Sequence, residues 1–298
     1  MLKYADVEDQ YKCNSSLKKA DVLSLLEWTC MQPHLPKLSE LEAALFLHSC
    51  YGSNQAAKEC IDNHYTCRTH CPEFFANCNP ESREIQAILD AVSICVLPKT
   101  TPKNEIIFYA RLNNTNPDFY NFNAAIKVFD MIASLQLHEF GCYDGHVIIV
   151  DVEGTTLMHI LKTGVISVKK YLYYLQDALP FRLKGFHYVN GVSFMDKILG
   201  LVKPFMKKEL QEQLYVHYGS NETIFKHIPK DCLPKECGGD GGPLADIFAN
   251  QRKRLESNTA FFSSEEKKRV DESQRPGKPK NAGDLFGVEG TFKKLDID

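Results

Sequence analysis

The sequence predicts an α/β protein in which a small unit of three helices precedes a mostly parallel sheet. Three observations predict it. Residues 17–75 carry three helical patterns in succession. Strand and helix patterns alternate from about residue 105 onward. The run His-Val-Ile-Ile-Val-Asp at 146–151 is β-branched, as in a strand buried on both faces. The expected division is a helical unit over residues 1–80, an α/β unit over 85–250 and a polar carboxyl-terminal tail over 251–298.

In the first unit, Val22, Leu23, Leu25, Leu26 and Trp28 make an apolar stripe that ends at the breaker Gln32-Pro33-His34-Leu35-Pro36. Ser39 with Glu42 three residues later forms a capping box that opens the second helix. That helix carries Leu41, Ala44, Leu45 and Leu47, and the third runs over about 54–71. Residues 105–111 then read as a strand, and 122–137 as a helix with Ala125, Val128, Phe129, Ile132 and Leu135 on one side. After the 146–151 strand come a helix over 157–179, a strand over 184–190, a helix over 192–215 and a last strand over 223–228. Beyond residue 250 the composition turns polar, with little core of its own, although the apolar residues at 286–292 can pin it to the body.

Of the 298 residues, 44% are hydrophobic and 24% charged, the balance of a globular chain. Apolar runs such as 147–150 fall far short of the roughly 20 residues that a membrane helix needs. The first ten residues carry acids where a secretion signal has bases and then an apolar stretch, so a cytoplasmic location is expected. Eleven cysteines, an odd number without repeating spacing, then read as buried free thiols. A net charge of -3 argues against non-specific nucleic-acid binding.

Catalytic signatures are absent from the sequence. It holds no Gly-x-Ser-x-Gly elbow, no phosphate-cradling Gly-x-x-x-x-Gly-Lys-Ser/Thr loop and no His-Glu-x-x-His pair. The glycines at 238–242 follow no strand and read as a turn. Cys60, His64, Cys67 and Cys71 form a stripe about 16 Å long on a helix, too extended for one zinc ion. Asp151 and Glu153 read as a strand-to-loop turn with Gly154, and His187 as a core histidine. The expectation is therefore no enzyme, no metal and no cofactor.

The most informative stretch is 181–214. Phe194, Ile198, Leu201, Val202 and Phe205 form an apolar stripe on a helix bordered by Lys203, Lys207 and Lys208, with Arg182 and Lys184 beside the preceding strand. Such a helix suits a membrane interface or simply covers the sheet. The chain as a whole resembles the CRAL-TRIO lipid-carrier family, of the tocopherol-transfer and retinaldehyde-binding type. The resemblance rests on Trp28, Gln32-Pro33-His34-Leu35-Pro36, Phe46-Leu47, Arg68-x-x-Cys71-Pro72-Glu73 and Asp151-Val-Glu-Gly154. It continues through Pro180-x-Arg182-x-Lys184-x-x-His187-x-x-Asn190, Phe194, Lys203-Pro204-Phe205 and Leu233-Pro234-x-x-Cys237-Gly238-Gly239. The ending Phe286-Gly-x-x-Gly-Thr-Phe-Lys-Lys-Leu looks like the family's insect branch.

The resemblance implies a hydrophobic cavity on one face of the sheet, closed by a gate helix at 192–206, and a carrier of one retinoid-, carotenoid- or tocopherol-like molecule. The expected wall is Val128, Ile132, Tyr171, Tyr174, Leu175, Leu179, Phe181, Leu183 and Phe186, with Phe194, Ile198 and Val202 on the gate. Arg182, Lys184, Lys203, Lys207 and Lys208 are expected to meet an anionic membrane surface, with Arg182 and Lys184 matching phosphoinositide-binding positions of the family. The match is imperfect: His48 stands where arginine is common, and two basic positions of that patch are Glu209 and Gln213. Two other functions fit the same residues, phospholipid or phosphoinositide exchange and a protein-interaction module without cargo.

Overall fold

The structure, a computed structural model, describes residues 2–219 and 221–287. Its first part comprises helices α1 (Val7–Cys13), α2 (Lys19–Cys30), α3 (Glu40–Ser49) and α4 (Asn54–His70), followed by the short α5 (Pro72–Phe75). The capping box at Ser39 forms as expected: Glu42 accepts from the Ser39 backbone at 2.8 Å, and Ser39 Oγ accepts from the Glu42 backbone at 3.2 Å. Val22, Leu25, Phe46, Leu47, Ile61 and Tyr65 close a core of this unit's own.

Helix α6 (Arg83–Ala91) leads directly into strand β1 (Val92–Val96), neither of which the sequence pattern resolves. There follow β2 (Glu105–Leu112), α7 (Phe122–Phe140), β3 (Gly145–Asp151), α8 (Leu157–Thr163), α9 (Val165–Asp177) and β4 (Leu183–Val189). The expected single helix over 157–179 is two, because Gly164 takes a φ of +73°, a left-handed turn that glycine adopts without strain. The expected helix over 192–215 is also broken. It becomes α10 (Met195–Val202), a 3-10 turn at Lys203–Phe205 where Pro204 intervenes, α11 (Lys208–Glu212) and β5 (Leu214–Val216). β5 is thus the last strand among the described residues, and residues 223–226 of the expected strand over 223–228 instead belong to a 3-10 segment, Asn221–Lys226.

The sheet order is β1-β2-β3-β4-β5, with β1 antiparallel to β2 and all other pairs parallel. Alternation gives it two different faces. Cys95, Ile107, Tyr109, Val147, Ile149 and Val189 point to one side, covered by Ile224, Ile228, Leu233 and Leu244. Ile94, Phe108, Ile148 and Phe186 point to the other, toward α7 and α9.

The carboxyl-terminal region has more core than its composition suggests. From α12 (Leu244–Glu256) and α13 (Thr259–Glu265), Leu255, Phe261 and Phe262 are buried in the main core. Farther on, Val270 packs into the helical unit, and Arg275 and Lys280 both pair with Asp62 of α4. In α14 (Ala282–Phe286), Phe286 is buried beneath the Lys170 ammonium, 5.5 Å edge-on to Tyr173. Residues 288–298 of the expected tail lie outside the described residues.

Candidate ligand-binding cavity

Between the sheet and the α8–α10 layer lies a partly open apolar cavity of about 290 Å³. This far exceeds the roughly 10–15 Å³ needed to hold one water molecule, so it is no packing defect. It sits toward the carboxyl ends of the strands, where open α/β sheets place their ligands. Ile94, Ala110, Leu112, Ile148, Val150 and Tyr188 form its sheet side. Phe122, Ala125, Ile126 and Phe129 of α7 and Val168, Tyr171 and Leu172 of α9 form the sides, and Met195, Ile198, Leu199, Leu201 and Val202 of α10 the lid.

Four of the expected wall residues line this cavity: Tyr171, Phe186, Ile198 and Val202. The other eight do not, because the interior is solid at the amino ends of the strands. There Phe108 packs against Phe129 and Phe181 at 5.4 and 5.3 Å between ring centres, and His146 stacks on Phe181 at 3.9 Å. Val128, Ile132, Leu179, Phe181 and Leu183 belong to the core around this aromatic plug. Tyr174 is drawn away by Asp130, to which its hydroxyl donates, and Leu175 lies one turn past the part of α9 that reaches the void. Phe194 is the half-buried cap of α10. Helical spacing singles out α7, α9 and α10, which do reach the void, but cannot say which turn faces it.

The cavity has a polar margin that sequence reasoning missed. Asp151 is buried and accepts from Tyr109 Oη and Asn190 Nδ2, both at 2.8 Å, and from the Glu153 backbone at 3.0 Å. Those bonds agree with the turn reading of Asp151. Arg111, the one full cation among the lining residues, is bound to Glu153 at 2.6 Å. Burial raises the Tyr120, Tyr171 and Tyr188 hydroxyls, Tyr120 to about 12, so they remain protonated. His159 of α8 also lines the wall; burial, then the nearby Lys162, lowers its pKa and keeps the ring neutral.

Of the expected membrane cations, two fall elsewhere. Arg182 and Lys184 lie at the amino end of β4, the opposite end from the cavity. Arg182 donates to the His48 carbonyl at 2.7 Å and lies 4.4 Å above the Tyr51 ring, while Lys184 donates to Tyr51 Oη at 2.9 Å. Lys207 pairs with Asp177, and Lys208 with Glu212 at 3.6 Å. Around the cavity it is apolar side chains that reach solvent: Leu157, Met158 and Leu161 of α8, Val165 and Ile166 of α9, and Leu201 of α10.

Other chemistry-bearing groups are used in packing. Cys60 Sγ and His64 Nδ1 both contact the Ala178 carbonyl, joining α4 to the end of α9, and His187 bonds His217 at 3.0 Å on the far face of the sheet. Glu42, His138 and Glu265 bring ligand atoms within 4.8 Å of one another, but the Lys268 ammonium bridges the two carboxylates at 2.6 Å each. All eleven cysteines are free; seven are buried, whereas Cys13 and Cys30 are exposed.

Fold and site together define an α/β protein with an apolar chamber beneath a short helical lid. The CRAL/TRIO domain model matches residues 91–239 and the Pinta-like UBA domain model residues 14–85. The chain belongs to the CRAL-TRIO lipid-carrier family. It is 29% identical over 189 residues to alpha-tocopherol transfer protein-like of Mus musculus, covering 63% of this chain and 54% of that protein. The Homo sapiens protein of the same name matches at 29% over 189 residues, 63% of this chain and 55% of that one. Clavesin-1 of Xenopus laevis matches at 27% over 96 residues, 32% of this chain and 29% of the relative. The chain thus spans about half the length of the tocopherol-transfer-like relatives. A crystal structure of Sfh5 shares the fold, with a TM-score of 0.52 and 14% identity over 77% of this chain and 88% of that one.

Proposed function

We propose that this protein binds one small, neutral hydrophobic molecule in the cavity and transfers it to and from membranes, without catalysing a reaction. The observation that carries this reading is the apolar void beneath α10. Enclosing roughly 400 Å² of ligand surface at ~25 cal/mol per Å² gives on the order of 10 kcal/mol against water. Little of that advantage remains against a bilayer, so docking on a membrane makes exchange possible. Two relatives named alpha-tocopherol transfer protein-like point the same way. A phospholipid cargo fits less well, since the cavity's one lining cation, Arg111, is already paired with Glu153.

The proposed docking surface is the exposed apolar rim of α8, α9 and α10, not the cations beside β4. Lys203, exposed and without a side-chain partner among the described residues, sits next to that rim and adds attraction to an anionic surface. No helix among the described residues is long and apolar enough to cross a membrane. We place the protein in the cytoplasm with transient membrane contact. Phosphoinositides are a secondary partner at most, because Arg182 and Lys184 are engaged by Tyr51 and His48.

Solvent extraction of the purified protein followed by mass spectrometry tests the reading. The expected result is one dominant neutral lipid class. Val150→Trp, which fills the cavity from the central strand, is expected to lose it. Equal lipid recovery from both proteins refutes the assignment of the cavity as the binding site.

A further inference from the structure

The polar margin contains a donor with a single free proton, and its chemistry narrows the ligand class within the function proposed above. His159 lies in the first turn of α8 and is 2% exposed. The Thr156 backbone N–H donates to its Nδ1 at 3.1 Å, and Thr156 Oγ1 is 2.9 Å from the same atom. A backbone amide can only donate, so Nδ1 must hold the lone pair and the neutral ring carries its proton on Nε2. Nε2 is buried and has no hydrogen-bond partner among the described residues. The Tyr120 ring packs edge-on at 5.5 Å and holds the imidazole against the cavity wall.

A buried N–H without an acceptor is costly, and natural folds rarely leave one. We propose that His159 Nε2–H is the polar anchor of the cavity, donating to a carbonyl or hydroxyl oxygen of a neutral ligand. The apolar body of the ligand then runs from α8 between the sheet and α10. A pure hydrocarbon leaves the donor unmatched. A carboxylate finds no unpaired cation, because Arg111 is held by Glu153 and lies 3.8 Å from Asp151.

Displacement of the neutral dye N-phenyl-1-naphthylamine by dodecanal, dodecanol and dodecane tests the proposal, since the three differ only at one end. The wild-type protein is expected to bind the two oxygenated compounds about tenfold more tightly than dodecane. His159→Phe, which keeps an aromatic ring and removes the donor, is expected to erase that preference while holding dodecane affinity within about twofold. His159→Gln, whose amide retains a donor, is expected to keep part of it.

An undiminished preference in His159→Phe, or none in the wild type, overturns the anchor while leaving the cavity reading intact. Failure of the dye and all three compounds to bind the wild type overturns both. Should His159→Phe not fold, side-chain nitrogen NMR of the wild type decides. The His159 Nε2–H signal moves with dodecanal and not with dodecane, and a signal indifferent to both refutes the hydrogen bond.

Discussion

The docking rim gives the sharpest prediction. Leu161 and Leu201 are 67% and 69% exposed, on two different helices of the cavity's outer layer. Fully burying a leucine side chain is worth about 1.5–3 kcal/mol, so moving the exposed portion of each into lipid contributes roughly 1–2 kcal/mol. Replacing both by serine should remove about 2–4 kcal/mol of membrane affinity, which at ~1.4 kcal/mol per decade is roughly 30- to 700-fold. Neither side chain is part of the packed core, so folding stability should change by less than about 0.5 kcal/mol. The assay is co-sedimentation with phosphatidylcholine vesicles containing anionic phosphatidylserine at 50 and 500 mM salt, alongside an Arg182→Gln/Lys184→Gln variant. Apolar docking predicts a large loss for the leucine pair at both salt concentrations and little for the cation pair. The reverse pattern, or salt-sensitive binding that survives the loss of both leucines, refutes the rim and restores the basic surface.

Other outcomes follow from the same geometry. Arg68→Met leaves Asp130, 2.9 Å from the guanidinium and fully buried with it, without its partner; a loss of about 3–5 kcal/mol in urea denaturation is expected, and a loss below about 1 kcal/mol contradicts it. His64 and His146 are each lowered to about 3, by burial first and then by Arg68 and His48 respectively. Their folded pKa values lie below the unfolded value of about 6.5, so their contribution is intact above that pH and is lost as the pH falls toward 3. Urea midpoints should therefore drop steadily below pH 6.5, and His64→Phe should flatten that slope; a parallel slope counts against the assignment. Lid helix α10 is tethered by an exposed bond, Tyr218 Oη to Asp196 at 2.8 Å, and the 3-10 turn after it by a half-buried one, Gln176 Nε2 to the Phe205 carbonyl at 3.2 Å. Tyr218→Phe/Gln176→Ala should speed ligand release severalfold in stopped-flow measurements with little change in melting temperature. Gly164→Ala meets no neighbouring atom but must hold a φ of +73°, so a cost of about 1 kcal/mol is expected from backbone strain alone.

Much of this was legible before any coordinates. Ser39 and Glu42 announce a helix start because the capping box is a local device, complete within four residues. The 146–151 run announces a central strand because burial on both faces demands continuous apolar character. The breaks at Gly164 and Pro204 were written in the chain too, but apolar spacing continues across them and favours one long helix over two. The small 92–96 and 214–216 strands carry too few residues for a period to register.

What the sequence by itself determined is the class of element at each long periodic segment and, through dispersed matches such as Pro180-x-Arg182-x-Lys184, the family. What only the tertiary structure decided is where the interior is full and where it is hollow. Phe108, Phe129 and Phe181 come from a strand, a helix and a loop, and nothing local reveals that their rings meet behind the sheet. The same holds for His159, an unremarked residue in the chain, whose free N–H acquires meaning once Thr156 fixes its tautomer and the fold removes water from around it. Periodicity is a property of one segment; a void, and an unmatched donor in its wall, are properties of several segments brought together.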